Sequence, residues 1–278
     1  MSFWLQMRYA KLELLCSPLI GAYNTFMNPE LSPKSKELIH EWTKEQVSSA
    51  SKPNFGKIFV TAPNLLEAIG EVDGKKVLEM GCGNGFWLRL LARAGADCTG
   101  IDHAENQIEA AKAWEDPATA SIEYRVGDVS EQADMQAQYD LVFFEHVLLE
   151  MPERSVLDGA IKNAADALKS GGKLVISDMH PFAPSSRPRN MRVPDNFSYY
   201  DSGAPFEISS TRVDGETIYY KDCHWTLSDI AQAITKAGLV ITDIKEPIPS
   251  QEDIDQYPEQ LGYRLQNPMA IMFVARKI

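Results

Sequence analysis

The chain has 278 residues, 44% hydrophobic and 24% charged, with a formal net charge of −12. That make-up fits a globular domain with one sizeable core, and the negative surface repels a phosphate backbone, which argues against nucleic-acid binding. The four cysteines, Cys16, Cys82, Cys98 and Cys223, are scattered without a Cys-x-x-Cys pair, so neither a zinc nor a disulfide framework is expected, and reduced thiols in a cytoplasmic protein are.

Leu12 to Tyr23 is apolar but too short to span a bilayer, and Glu13 and Pro18 interrupt it, so it reads as an amphipathic helix rather than a signal or membrane segment. Ser32-Pro33 looks like an N-cap with proline at the first helical position, opening a helix to Ser49 that gathers Leu38, Ile39 and Trp42 on one side. Ser51 to Gly56 reads as a linker, and Leu65 to Ile69 as a short helix beside the first strand. Residues 1–70 are expected to form an N-terminal helical lid, and residues 71–278 the main domain.

Lys75 to Gly85 is the most informative stretch. Val77, Leu78 and Met80 make a buried strand that runs into glycines at alternate positions, Gly81, Gly83 and Gly85. Such glycines allow a tight turn and a close backbone approach to a ligand. Phe86 to Ala94 follows with Trp87, Leu90, Leu91 and Ala94 at helical spacing, so a helix N-terminus faces the same ligand. A dinucleotide fingerprint, Gly-x-Gly-x-x-Gly, needs a third glycine where this chain has Phe86 or, in the next frame, Leu88. Glu79-Met80-Gly81-Cys82-Gly83-Asn84-Gly85 instead resembles the cofactor loop of class I S-adenosylmethionine-dependent methyltransferases.

Beyond the loop, strands and helices alternate. Asp97 to Asp102, Ser121 to Val126, Tyr139 to Phe144 and Lys173 to Ser177 read as strands, Ala104 to Ala113 and Arg154 to Lys169 as helices, the second ended by Ser170-Gly171-Gly172. This alternation implies a parallel sheet with right-handed crossovers. Residues 179–224 break the rhythm and read as an insertion, with a hairpin from Glu207 to Lys221 around Asp214-Gly215. Thr226-Leu227-Ser228-Asp229 is a capping signature, opening a helix whose inner face is Leu227, Ile230, Ala231 and Ile234. Leu239 to Ile244 and Met269 to Ala275 are the closing strands. The resemblance implies an α/β, Rossmann-like fold: a seven-stranded, mostly parallel sheet with helices on both faces, the last strand antiparallel, a helical lid before it and an insertion after the fifth strand.

Asp102 ends the second strand, 102 − 81 = 21 residues beyond Gly81, where an acid suits a ribose diol of either this cofactor or NAD. The resemblance implies that Glu79, Gly81, Cys82, Gly83 and Gly85 form the cofactor loop, with Cys82 as small filler. It further implies that Asp102 binds the ribose, that Asp128 accepts from the adenine amine, that Val129 supplies a backbone N–H to the ring, and that His103 and Ala104 flank it from the other side. Glu145, where the family commonly has a small residue, pairs with the methionine ammonium or the sulfonium, or faces substrate. His146 is read as a general base or as a packed histidine opening a helix, and His180 and His224 as further candidates at the substrate. No metal constellation is visible. Phe182, Phe197, Tyr199, Tyr200 and Phe206 of the insertion could cover an apolar acceptor.

The expected activity is direct methyl transfer from S-adenosyl-L-methionine to a small molecule, leaving S-adenosyl-L-homocysteine. O-methylation is favoured, N- or C-methylation next, and a base is needed only if the nucleophile loses a proton. The alternatives are another chemistry with the same cofactor and fold, or a non-catalytic cofactor-binding regulator. A monomer or homodimer without nucleic-acid or membrane partners is expected.

Overall fold

The computed structural model describes residues 54–114, 121–131, 137–188, 190–211, 215 and 217–278. The helices expected at 12–23 and 32–49, and Asp214 of the hairpin turn, lie outside the described residues. The segment read as a linker is helical from Phe55: Asn54 Oδ1 caps the backbone N–H of Lys57 at 2.8 Å. A π-helical turn, Lys57–Thr61, then runs straight into α1, Ala62–Ile69. Lys173 Nζ donates to the carbonyls of Ala68 and Ile69 and so closes the end of α1.

The main sheet contains β1 (Lys76–Met80), β2 (Asp97–Asp102), β3 (Glu123–Val126), β4 (Tyr139–Glu145), β5 (Leu168–Met179), β9 (Leu239–Lys245) and β10 (Ala270–Lys277). Their order is β3-β2-β1-β4-β5-β10-β9. All pairings from β3 to β5 are parallel, and β10 is antiparallel to both of its neighbours. The crossover helices are α2 (Phe86–Arg93), α3 (Glu105–Ala113), α4 (Arg154–Ala167) and, later, α6 (Leu227–Lys236).

Val142 and Phe144 of β4 join a core cluster with Leu157, Ile161 and Ala164 of α4 and Ile230 and Ile234 of α6. Leu141 and Phe143, equally buried, alternate onto the other face, where α1 meets β5 and α2 meets β2. Helices therefore cover both faces, which is why β1 and β4 read as continuous apolar runs. The strand order reverses between β1 and β4, and a ligand crevice opens at the carboxyl ends of strands at such a point.

Two local expectations change. α4 ends at Ala167, not Lys169, and Ser170-Gly171-Gly172 lies inside β5 instead of capping the helix. Gly171 has φ +76°, and the pairing of β4 with β5 shifts register there, so the glycines form an irregular bend in the strand. On α6 the capping box is present: Thr226 Oγ1 accepts from Asp229 N, and Asp229 Oδ2 accepts from Thr226 N, each at 3.0 Å. Leu227, however, is 39% exposed, and Ala233 takes the buried place expected of Ala231. Leu227 is the first helical residue, at the surface, with its N–H held by the Tyr199 hydroxyl at 3.0 Å.

The insertion contains α5 (Ala183–Ser186) and an antiparallel three-stranded sheet of β6 (Met191–Arg192), β7 (Pro205–Thr211) and β8 (Thr217–Cys223). Its small core is Ala183, Met191 and Phe206 with Met269. After β9 come α7 (Gln251–Gln256), α8 (Pro258–Leu261) and a 3-10 turn, Gly262–Leu265. Among the described residues, no helix is long and apolar enough to cross a membrane.

Candidate functional site

The glycine loop is pinned from two sides. Gly81, Gly83 and Gly85 all have positive φ, at +78°, +51° and +75°. At Gly81 a β-carbon would come within 2.5 Å of the Val147 side chain, and at Gly85 it would overlap the Tyr124 hydroxyl. The N–H groups of Gly81 and Cys82 both donate to Ile101 O on β2, at 2.7 and 2.9 Å. From α2, the buried Arg89 reaches back to donate to Asn84 O at 2.5 Å.

Asp102 completes the attachment. Its Oδ2 accepts from Gly83 N at 2.8 Å and its Oδ1 from Ala104 N at 2.9 Å. Burial pushes the carboxyl above its usual range, against the pull of Ala104 N–H, His103 and Gly83 N–H. A carboxylate offers about four acceptor positions, so two remain for a ligand. Cys82 is a buried free thiol that burial pushes well up, and its Sγ packs toward Gly100, consistent with filler rather than a nucleophile.

The loop forms one wall of a cleft of about 1650 Å³. Glu79, Gly81, Cys82 and Gly83 line it from β1, Asp102 and His103 from β2, Asp128 and Val129 from β3, and Glu145 and His146 from β4. Gly85 stands behind this lining, against Tyr124. Asp128 Oδ1 is engaged by Ser130 N and Oγ, both at 2.7 Å, so the residue also makes a local turn.

The carboxylates at the sheet's edge influence one another. Glu79 is buried with Oε2 unpartnered, and burial, then Glu145, pushes it well above the usual range. Burial alone would raise Glu145 too, but Lys57, His146 and the Trp87 indole hold it below its ordinary value. Lys57 Nζ lies 3.9 Å from Glu145 Oε2 and 4.4 Å from the Phe86 ring centroid.

His146 has φ +54°, a left-handed conformation that is strained for a residue with a β-carbon, and such strain gathers at functional sites. Its ring lies between Glu145 Oε1, 3.7 Å from Nε2, and Asp178 Oδ1, 3.8 Å from Nδ1. Burial pushes Asp178 up to about 6, against His146 and the N–H groups of Met179 and Leu148.

His180 and His224 do not reach this cleft. His180 Nε2 pairs with Glu246 at 2.8 Å, while its Nδ1 accepts from Phe182 N at 3.0 Å. His224 is buried, bonded to Tyr199 O at 2.7 Å and packed edge-on against Phe197 and Tyr199, and burial pushes its pKa down. Both fasten the insertion. The expected aromatic cover is absent as well: Phe206 is spent on the small core, while Phe182 and Tyr200 are 48% and 83% exposed. Met179, Ile208, Tyr220 and Met269 line the cleft in their place.

Sequence reasoning missed other lining residues. Lys57 lies just past the segment read as a linker. Gln107, buried with Oε1 unpartnered, sits among helical apolar residues of α3. The carboxyl groups of Glu150 and Asp222 make no hydrogen bond or ion pair among the described residues. Burial and then Asp178 push Asp222 up to about 8; burial, then Asp102, Asp222 and Asp178, push Glu150 well above its range. The one available signal was Asp178 itself, a polar residue closing an apolar strand.

Residues 77–172 match the Methyltransf_25 family model, a methyltransferase domain. The chain is 32% identical over 180 residues to a ubiquinone biosynthesis O-methyltransferase of Acinetobacter baylyi, covering 64% of this chain and 68% of that protein. A relative of the same name from Bordetella avium is 35% identical over 115 residues, 41% of this chain and 46% of that one, so the chain spans about half the length of that relative. A solved S-adenosylmethionine-dependent methyltransferase from Mesorhizobium loti superposes with a TM-score of 0.59 at 21% identity, over 77% of this chain and 96% of that one, a likeness of fold.

Proposed function

This chain belongs to the class I S-adenosylmethionine-dependent methyltransferases, and from that membership we propose that it methylates a hydroxyl of a small, largely apolar molecule. The observation that carries the reading is the cleft. Its volume of about 1650 Å³ exceeds the roughly 300–1,000 Å³ usual for one small ligand, so it has room for a donor and an acceptor together. Its walls divide accordingly, with the glycine loop, Asp102 and Asp128 on one side and Met179, Ile208 and Met269 on the other. The names of the relatives favour oxygen as the acceptor atom.

The residues present fit the donor. Asp102 keeps two acceptor positions for ribose hydroxyls, and Asp128 Oδ2 is left for an exocyclic amine. Val129 and His103 border the adenine position, and the carboxylate of Glu145, held below its ordinary value, balances a positively charged methionine end. S-adenosylmethionine supplies a methyl group on a sulfonium, already activated for direct displacement. The chain's own part is alignment, exclusion of water and removal of the hydroxyl proton. His146 is the base in this account: Glu145 and Asp178 flank its ring and stabilise the imidazolium that forms. His180 and His224 hold the insertion and play no part in the proton transfer.

Incubation with the donor and a panel of hydroxylated and aminated small molecules, read by mass spectrometry, tests this. A hydroxylated product heavier by one methyl, with stoichiometric S-adenosylhomocysteine, is expected. Transfer only to amines, or no donor consumption across the panel, would overturn the proposal.

A further inference from the structure

Three described cations line the cleft: Lys57, Arg187 and Arg264. Lys57 is paired with Glu145 and stacked on Phe86. Arg187 donates to the carbonyls of Val193, Pro194 and Asp195. Arg264 lies on the 3-10 turn Gly262–Leu265, and its guanidinium has no acidic partner and no hydrogen bond among the described residues. Its Nε is buried and unsatisfied. Glu259 lines the same cleft but makes no ion pair with it.

The guanidinium is nonetheless held in place. It lies over the Tyr263 ring, 5.2 Å from the centroid. It fills the space above Gly56, where a β-carbon would come within 2.5 Å of Nη2. A guanidinium presents five N–H donors in a rigid fork, and one kept partly buried without an acceptor is costly. The fork matches carboxylate and phosphate oxygens two at a time. Elsewhere the cleft is lined by Asp102, Asp128 and Glu145, whose carboxylates repel such an anion.

We infer that Arg264 is an oxyanion-binding position in the acceptor half of the cleft, so that the acceptor carries a carboxylate or phosphate in addition to the atom that is methylated. This rests on the methyltransferase reading of the same cleft. The lining around Arg264 comes from Gly56, from Ser210 of β7 (tied to Asn54 at 2.9 Å) and from Asn267, segments outside the glycine loop. The oxyanion sets which acceptors enter and how they lie, while the chemistry stays at the carboxyl edge of the sheet.

The test is calorimetric titration of the full chain, saturated with S-adenosylhomocysteine, using 4-hydroxybenzoate, 4-hydroxybenzamide and phenyl phosphate as probes. At least one oxyanion should bind, and 4-hydroxybenzamide should bind about tenfold or more weakly than 4-hydroxybenzoate. Comparison of the two oxyanions identifies the preferred class. Arg264→Met should weaken the oxyanion about tenfold or more, and Arg264→Lys by less, because charge remains but the fork is lost. Gly56→Ala is the second variant: Gly56 has ordinary helical φ, so alanine is accepted by the backbone but displaces the guanidinium, and oxyanion affinity should fall with no loss of melting temperature. No oxyanion binding, or binding unchanged in Arg264→Met and Gly56→Ala, would overturn the inference while leaving the methyltransferase reading intact. Failure to bind S-adenosylhomocysteine would instead strike at that reading.

Discussion

The two walls of the cleft differ in how their polar groups are satisfied. On the glycine-loop wall, both oxygens of Asp102 accept backbone N–H groups, Ile101 O accepts two more, and Arg89 holds Asn84 O. Glu79 Oε2, Asn84 Nδ2, Trp87 Nε1, Gln107 Oε1 and Tyr124 Oη are buried exceptions there. On the facing wall, Glu150, Asp222 and Arg264 carry ionisable groups without partners among the described residues. The first wall has its backbone attachments made before a ligand arrives and holds its shape through that geometry. The second is left electrostatically open, so its groups are satisfied by whatever acceptor enters. A preorganised donor site beside an unsatisfied acceptor site lets related chains keep one cofactor and change substrates.

Substitutions can break this contrast. The largest effect is expected at Gly85, where a side chain must adopt the left-handed conformation, about 1–2 kcal/mol, and also displace the Tyr124 hydroxyl, about 1–3 kcal/mol. Gly85→Leu should lower the melting temperature and abolish detectable S-adenosylhomocysteine binding. Retention of both would mean that the loop is not the rigid wall described.

A smaller effect of opposite sign is expected on the facing wall. Asp222 titrates near 8 when folded against an ordinary 3.8, so between these values the folded state holds a proton that the unfolded state has lost. Stability therefore falls as pH rises from about 4 to about 8, and is flat on either side with respect to this group. Asp222→Asn removes that dependence. Thermal melts should show the variant more stable than the parent at pH 8 and equal to it near pH 4. A variant less stable at pH 8 would show that Asp222 is partnered, and would close the contrast.

The difference between the walls also decides what could be read from the chain. Glu79, the three glycines, Asp102, Asp128 and Glu145 lie within or just after apolar strands, where local pattern and strand-end position together locate them. The alternation of elements likewise gave the parallel sheet, while its antiparallel closing strand came from the family resemblance. The facing wall depends on contacts distant in sequence: Asn54 to Ser210, Arg264 over Gly56, and Asp222 brought near Asp178. No local periodicity encodes these. His180 and His224 follow strand ends as a ligand-facing residue would, yet Glu246 and Tyr199, distant in the chain, claim their rings. The glycines at 171 and 172 resembled a helix stop because a left-handed residue suits a cap and a strand bend equally.

Calorimetric titration with S-adenosylhomocysteine, comparing the parent with Asp102→Ala, tests the central claim most directly. The parent should bind one equivalent. Loss of two charge-assisted hydrogen bonds, about 1.5–3 kcal/mol each, should weaken the variant by at least about tenfold, with melting temperature recorded alongside to account for the freed Gly83 N–H. No binding by the parent, or equal affinity in the two proteins, would contradict the account.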